Sequence, residues 1–595
     1  MGTLRKIKRA VRGEVKLTTA VLETLRRTRA SFESRKERAN LDREDPLDLC
    51  SPDREATFFT LETSEDPQPI TFNHPIEWNR DPRSGYLWPL DYHRDIQLMR
   101  SDGSDVRVVW ELNRLGHLIT LGQAYRLTRD EKYTDQFLMQ LRSWSEANPY
   151  GRGPNWTCAM EVALRAVNLI AARELFRDSA RLDTQFLLKL FQRHGNYIRR
   201  NLEFSYIATS NHYLSDVAGL LWLGVMVPEL RDARGWRDFG LKELLREMDK
   251  QVLPDGADFE SSTGYHRFVT ELFLYSFLLC RTNGIEIDRT YWRKLRSMLL
   301  YIRGYMRPDG FAPLIGDTDG GQFLSLQERR ADDHGYLLAV GADVFDDPTL
   351  RGPQIRSSEF PQAGTYIMRR DDLYLCFNAS GAGINGRGSH GHNDKLSIEV
   401  SAGGIPFIVD PGTYVYTGDL QKRHDFRSTA YHSTVKIDGV EQNTIERDAP
   451  FVIGDEARPR VLLWNSGPLT DKIVAEHYGY QRLKNPLTHR RTVIFDKRNR
   501  SWFIEDEFFG DAVDHDFEVR FHFAPGLKVN SDRAVVKVRD PNANLTLILS
   551  SLSLSDSPAL EQQFTSRNYG ELEESLTACW RFSGPPHKLS WKLSF

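Results

Sequence analysis

The sequence predicts an α-then-β protein, a large helical region followed by an antiparallel β region. Apolar residues recur at helical spacing from about residue 90 to 345, and at every second position after about 360. Size agrees with two cores. The chain has 595 residues, 40% hydrophobic and 27% charged, too long for one ordinary domain and composed like a globular protein.

The N-terminal 30 residues carry nine Lys/Arg against two Glu. Leu4, Ile7, Val11 and Val15 fall at helical spacing, as do Leu17, Val21 and Leu25, so residues 1–45 read as a basic helical arm. Four helical runs stand out beyond it: WELNRLGHLITLGQAYRL (110–127), CAMEVALRAVNLIAARELF (158–176), FLLKLFQRHGNYIRRNL (186–202) and FVTELFLYSFLLC (268–280). Pro and Gly mark the gaps, as in NPYGRGPNW and RPDGFAP. Short connections between helices imply a bundle, a solenoid or a ring of helical hairpins. No fixed-period repeat is present. The helical pattern stops in RGPQIRSSEFPQ (351–362). Hairpins are then expected over Asp371-Asp372, at Gly403-Gly404 and at Asp438-Gly439, with further strands to the C-terminus.

Seventy-nine basic residues against 82 acidic ones leave a formal charge of −3, so no global field recruits nucleic acid. Five scattered cysteines without a CxxC read as reduced thiols. The longest apolar stretches, such as GLLWLGVMV (219–227), are shorter than the roughly 20 residues of a membrane span. The N-terminus lacks the apolar core and cleavage site of a secretory signal, so a cytoplasmic enzyme is expected. P-loop, GxGxxG, GxSxG and HExxH motifs are absent.

Four of the 16 histidines fall within residues 390–432. His390 and His392 flank one glycine in GRGSHGHND; His392, Asp410 and His432 then sit at the ends of successive β elements. Two imidazoles and a carboxylate suit Zn²⁺ or another divalent ion, though strand-end hydrogen bonding explains them equally well. In the helical half, SNHYLSD places Asn211 and His212 at a helix start, and DFESSTGYHRF places Glu260, Tyr265, His266 and Arg267 at another. Capping and core packing are the plainer explanations of both. Trp156 could stack on a sugar or simply pack. Asp317 and Asp319 in GDTDGG form a candidate glycosidase pair, or merely order their loop.

The order NHY, ESSTGYHRF, SHGHND, VDPGTY and YHSTV resembles the heparinase II/III-like polysaccharide lyases, over most of the chain from about residue 90. The SHGHND to VDPGTY segment is its most specific part. The resemblance implies an (α/α) toroid, often incomplete, over residues 46–350, then an antiparallel β-sandwich over 360–595. It implies β-elimination on a uronate-containing glycan, with glycosaminoglycans favoured over alginate, and an anionic oligo- or polysaccharide as partner. By matching positions, Asn211, Tyr265 and His390 are the implied catalytic residues. Asn211 neutralises the uronate carboxylate, Tyr265 acts as acid and in some members as base, and His390 is the β-domain histidine. His392, Asp410 and His432 are the implied ligands of one divalent ion, zinc before manganese or calcium. His212, Trp156, Glu260, Arg267, Arg387 and Tyr414 complete the expected substrate site, with Tyr414 and Tyr416 alternative proton carriers. The rival expectations are a glycoside hydrolase using Asp317 or Asp319 with Glu260, and a non-catalytic glycan-binding protein.

Overall fold

Wherever the apolar period is unbroken, the helices follow the sequence closely. The runs at 158–176 and 186–202 become Ala159–Phe176 and Thr184–Arg200. The run at 268–280 lies inside Thr263–Thr282. The run at 110–127 is two helices, Val106–Asn113 and His117–Thr128, because Leu115 between them takes a left-handed φ of 59°. The computed structural model describes residues 17–41, 45–52, 56–58 and 75–595. Of the N-terminal arm, Leu17–Ala39 is helical, while Leu4, Ile7, Val11 and Val15 lie outside the described residues. Among the described residues no helix is long and apolar enough to cross a membrane.

The chain divides into two compact units. One comprises residues up to Lys250 with 271–291 and 322–328; the other comprises 251–270, 292–321 and 329–595. The second unit thus includes most of the helix Arg289–Tyr305 and all of Gly335–Phe345 as well as the strands.

In the first unit, Ala159–Phe176 and Asn211–Met226 are buried around almost their whole circumference, the mark of central helices. They meet at Gly219, where a Cβ would lie 2.6 Å from that of Ala163. Buried polar side chains tie the surrounding helices. Asn113 donates to the Trp78 carbonyl at 2.7 Å and accepts from the Trp144 indole at 2.8 Å.

The second unit holds three antiparallel sheets. The first has five strands in sequence order, from Ser358–Phe360 to Ile405–Ile408. Its hairpins turn at Asp371 (φ 53°) with Asp372, and at Gly403-Gly404, where φ of 59° and 75° match a type I′ turn. The second sheet has eight strands, with Lys588–Ser594 and Ser501–Phe509 at its centre. The third joins Ala559–Thr565, Glu573–Gly584, His515–His522 and Val435–Ile437. The turn at Asp438-Gly439 forms, but only Ile437 and Val440 bridge across it. Val435–Ile437 pairs instead with Phe517–Val519. Alternate residues of all three sheets feed one core, including Phe377, Val400, Phe495, Trp502, Phe521 and Trp591.

Two buried histidines, His194 and His266, and the half-buried His117 are expected to make this fold acid-sensitive. Burial lowers His117 and His266 to about 4 and His194 to about 3. Each ring is bonded as the neutral form: His266, for example, accepts from the Asp258 N–H at 3.0 Å and faces the Met298 carbonyl at 3.1 Å. The unfolded chain takes up these protons near pH 6.5, so stability is complete above that pH and is lost as pH falls toward the folded values. The melting temperature is expected to hold above about pH 6.5 and then drop steeply, each such histidine contributing up to about 1.4 kcal/mol per pH unit. A profile flat to about pH 5 would contradict this assignment of neutral rings.

Candidate active site

In the second unit, the loop 316–321 and the helix start at Thr263 converge on the histidine loop 386–394. Ser262 sets the helix start: its hydroxyl accepts from the Tyr265 N–H at 3.0 Å, an N-cap bond, and donates to the Asp317 carbonyl at 2.5 Å. The Asp317 N–H donates to the His390 carbonyl at 2.9 Å. Gly316 makes this approach feasible, since with φ 70° a Cβ there would lie 2.8 Å from the His390 oxygen. These backbone ties bring Tyr265 and His390 together with their rings stacked, 3.5 Å between centroids and 13° from parallel.

Asp317 is the hub. Its carboxylate accepts from His390 Nδ1 at 2.8 Å, from His392 Nε2 at 2.9 Å, and from both terminal nitrogens of Arg423. Its side chain and that of Arg423 are wholly buried. Burial alone would raise the Asp317 pKa, but Arg423 and the two histidines outweigh it and hold the carboxyl well below its usual range. A carboxylate so engaged has no free oxygen to act as a general acid or base, which counts against the rival glycosidase reading of Asp317; it ties His390, His392 and Arg423 together. Glu260, expected to touch substrate, is buried instead and lies 3.3 Å from His390 Nε2.

The Tyr265 hydroxyl is 3.1 Å from that of Tyr416 and 3.5 Å from Asp319 Oδ2. Tyr416 is buried, and desolvation followed by the nearby Tyr265 and Asp319 pushes its pKa well above the ordinary tyrosine value. The Arg423 guanidinium sits over its ring at 5.0 Å. Tyr414, two residues earlier, takes a left-handed φ of 65° and packs its ring on Phe426. Tyr416, rather than Tyr414, is therefore the tyrosine at Tyr265. Arg267 is also corrected: it is buried and bonds the Gly321 carbonyl and the Tyr336 hydroxyl, bracing the loop 316–321. Arg387 is half-buried on the histidine loop.

Adjoining the hub, His392, Asp410 and His432 are buried with one ligand atom from each within 4.8 Å of the others. His432 Nδ1 faces Asp410 at 3.1 Å. His392 Nδ1 and His432 Nε2 are buried without a hydrogen-bond partner, an arrangement that costs about 1–3 kcal/mol per atom unless something fills it. The donor set and these two open nitrogens fit a divalent cation. Asp317, bonded to the far nitrogen of His392, is the outer carboxylate such a ligand ordinarily has.

In the first unit, Asn211 and His212 open the helix Asn211–Met226. Asn211 is buried. His212 keeps 37% of its side chain exposed and places Nδ1 2.6 Å from Glu203. Burial opposes ionisation of Glu203, but His212 and the Cys158 and Met160 hydrogen bonds lower it to about 2. Trp156, expected as a sugar platform, is buried among Tyr150 and Tyr197 with Arg165 over its ring, so neither face is open.

Arg423 was not legible as a site residue. It sits in the short helix Leu420–Phe426, 106 residues from Asp317, in a sequence that reads as an ordinary charged surface turn.

The heparinase II/III N-terminus family model matches residues 2–330, and the heparinase II/III-like C-terminal model matches 352–592. A heparin-sulfate lyase of Pedobacter heparinus is 25% identical over 528 residues, covering 85% of this chain and 75% of the relative. The solved structure of heparinase III superposes with a TM-score of 0.67 at 19% identity, over 81% of this chain and 76% of that one. A heparan sulfate lyase mutant from Pedobacter heparinus gives 0.62 at 22% identity, over 100% and 91%. The fold is that of these structures, an (α/α) toroid followed by a β-sandwich.

Proposed function

Because the chain belongs to the heparinase II/III family, we propose that it is a polysaccharide lyase cleaving a glycosaminoglycan of the heparin and heparan sulfate class by β-elimination. The observation that carries the reading is the Tyr265–His390 stack, with the phenol bonded to Tyr416 and the imidazole flanked by Asp317 and Glu260.

Elimination breaks C5–H and C4–O4 of a uronate, forms C4=C5 and consumes no water. The C5 proton is only weakly acidic, so the reaction needs charge neutralisation at the carboxylate, a base at C5 and an acid at O4. Both nitrogens of His390 face carboxylates, Nδ1 towards Asp317 and Nε2 towards Glu260, so neither is open to accept a proton from the substrate. Tyr265 therefore takes the C5 proton and returns one to O4. Tyr416 stays protonated and donates to the transient phenolate. Asn211 is assigned to the uronate carboxylate by its motif position. A zinc-class ion held by His392, Asp410 and His432 would supply fixed positive charge that locks those side chains.

The test is ultraviolet absorbance with heparan sulfate, hyaluronan, chondroitin sulfate and alginate, since a 4,5-unsaturated uronate absorbs where the substrates do not. A rising signal, fastest on heparan sulfate, is expected. New reducing ends with a flat trace would establish hydrolysis instead. For the metal, His392→Ala is expected to lose one bound ion per chain by elemental analysis and to melt at lower temperature, whereas unchanged metal content would overturn the ligand assignment.

A further inference from the structure

We propose a second divalent-metal site in the first unit, made by Cys158, Glu203 and His212, taking a thiophilic ion of the zinc class. Cys158 precedes the helix Ala159–Phe176, His212 lies in the first turn of Asn211–Met226, and Glu203 comes from the segment leading to that helix. Their ligand atoms all lie within 4.8 Å of one another. Cys158 Sγ is 3.1 Å from Glu203 Oε1 and 3.8 Å from His212 Nδ1, and Glu203 Oε2 is 2.6 Å from the same nitrogen.

Tetrahedral zinc with bonds of about 2.3 Å to sulfur and about 2.0–2.1 Å to nitrogen and oxygen separates its ligands by about 3.3–3.6 Å. The two sulfur distances, 3.1 and 3.8 Å, lie just either side of that range, with Glu203 turning Oε1 to the sulfur and Oε2 to the imidazole. The carboxylate and imidazole must part by roughly 0.7 Å, which a small rotation of the half-exposed His212 side chain supplies. Glu203 is partnered by the Cys158 thiol, the Met160 N–H and His212, and its own N–H donates to the Asp216 carboxylate at 2.7 Å. On binding, the Cys158 S–H bond breaks, its proton leaves to solvent and a sulfur–metal bond forms, with no change of oxidation state. Three protein ligands leave a fourth position, and the exposure of His212 opens the site to solvent, unlike the wholly buried His392, Asp410 and His432.

The site is read by cobalt. The metal-free protein titrated with Co²⁺ is expected to bind about two ions per chain and to develop a near-ultraviolet sulfur-to-cobalt charge-transfer band. The histidine–aspartate site contains no thiolate and cannot produce that band. Cys158→Ser keeps a hydroxyl donor for Glu203, so the fold is preserved. This variant is expected to lose the band and one of the two ions. Cobalt binding without the band, or a band surviving in C158S, overturns the proposal. Should the variant not fold, the unaltered protein decides: Zn²⁺ is expected to slow alkylation of Cys158, read by peptide mass spectrometry, and equal labelling with and without zinc refutes the site. These measurements follow binding rather than turnover, so their failure leaves the lyase reading untouched.

Discussion

Tyr265→Phe is expected to lower kcat by about 10³-fold while shifting the melting temperature hardly at all. The substitution removes one oxygen. The ring remains, so the stack on His390 at 3.5 Å and the packing of the helix start are kept. Among the lost contacts are the 3.1 Å bond to Tyr416 and the 3.5 Å bond to Asp319, on a half-buried side chain where water can partly replace them. Turnover loses the group that both takes and returns the proton, and general acid–base catalysis supplies about 10²–10⁴-fold per step. KM should change little, because the phenol contributes mainly in the transition state. Tyr416→Phe makes the useful comparison. It leaves the proton carrier in place and removes only the donor to its phenolate, so a smaller loss is expected, about 10- to 100-fold, with the pH optimum moving upward. Near-normal kcat in Tyr265→Phe would remove it from the mechanism, whatever the product of the reaction.

Periodicity made the architecture legible where one force decided the structure. Ala159–Phe176 is buried along its length, and its apolar run gave its limits to within one residue. The Gly403-Gly404 turn was readable because two successive positive φ angles suit glycine. The break at Leu115 was not, since a leucine in a left-handed conformation leaves no mark on an otherwise continuous helical period. The same limit applies at the site. Tyr265 and His390 could be picked out by resemblance, but Tyr414 and Tyr416 looked equivalent until backbone conformation sent one onto Phe426 and the other to Tyr265. Glu260, Arg267 and Trp156 are polar or aromatic residues near a motif, and only burial separates those that brace a site from those that face it. Asp317 was visible as a carboxylate in a glycine-rich loop. Its role was not, because three of its partners lie 73, 75 and 106 residues away and no local spacing encodes them.

Neutralising that carboxylate is expected to have the largest combined effect of any single change. Asp317→Asn preserves shape but leaves the Arg423 guanidinium, whose side chain is wholly buried, facing an amide. Breaking a buried ion pair from one side typically costs about 3–5 kcal/mol, so a clear fall in melting temperature should accompany the loss of activity. Stability alone would not prove a functional role, and a paired substitution separates the two. Asp317→Leu with Arg423→Met removes both charges together, and replacing a buried pair by apolar side chains is often neutral or better. Much of the lost stability should therefore return. Activity should not return, because His390 Nδ1 and His392 Nε2 still lack the acceptor that holds them at 2.8 and 2.9 Å. The double variant should also bind metal more weakly, by about 10- to 100-fold, since an outer carboxylate fixes the orientation of a ligating imidazole. If the double variant regained activity along with stability, Asp317 would be only a structural counter-ion to Arg423, and His390 would need no anchor. If it regained stability but neither activity nor metal affinity, one carboxylate would be coupling the metal ligand to the ring stacked on Tyr265, and the ion's effect on turnover would pass through Asp317.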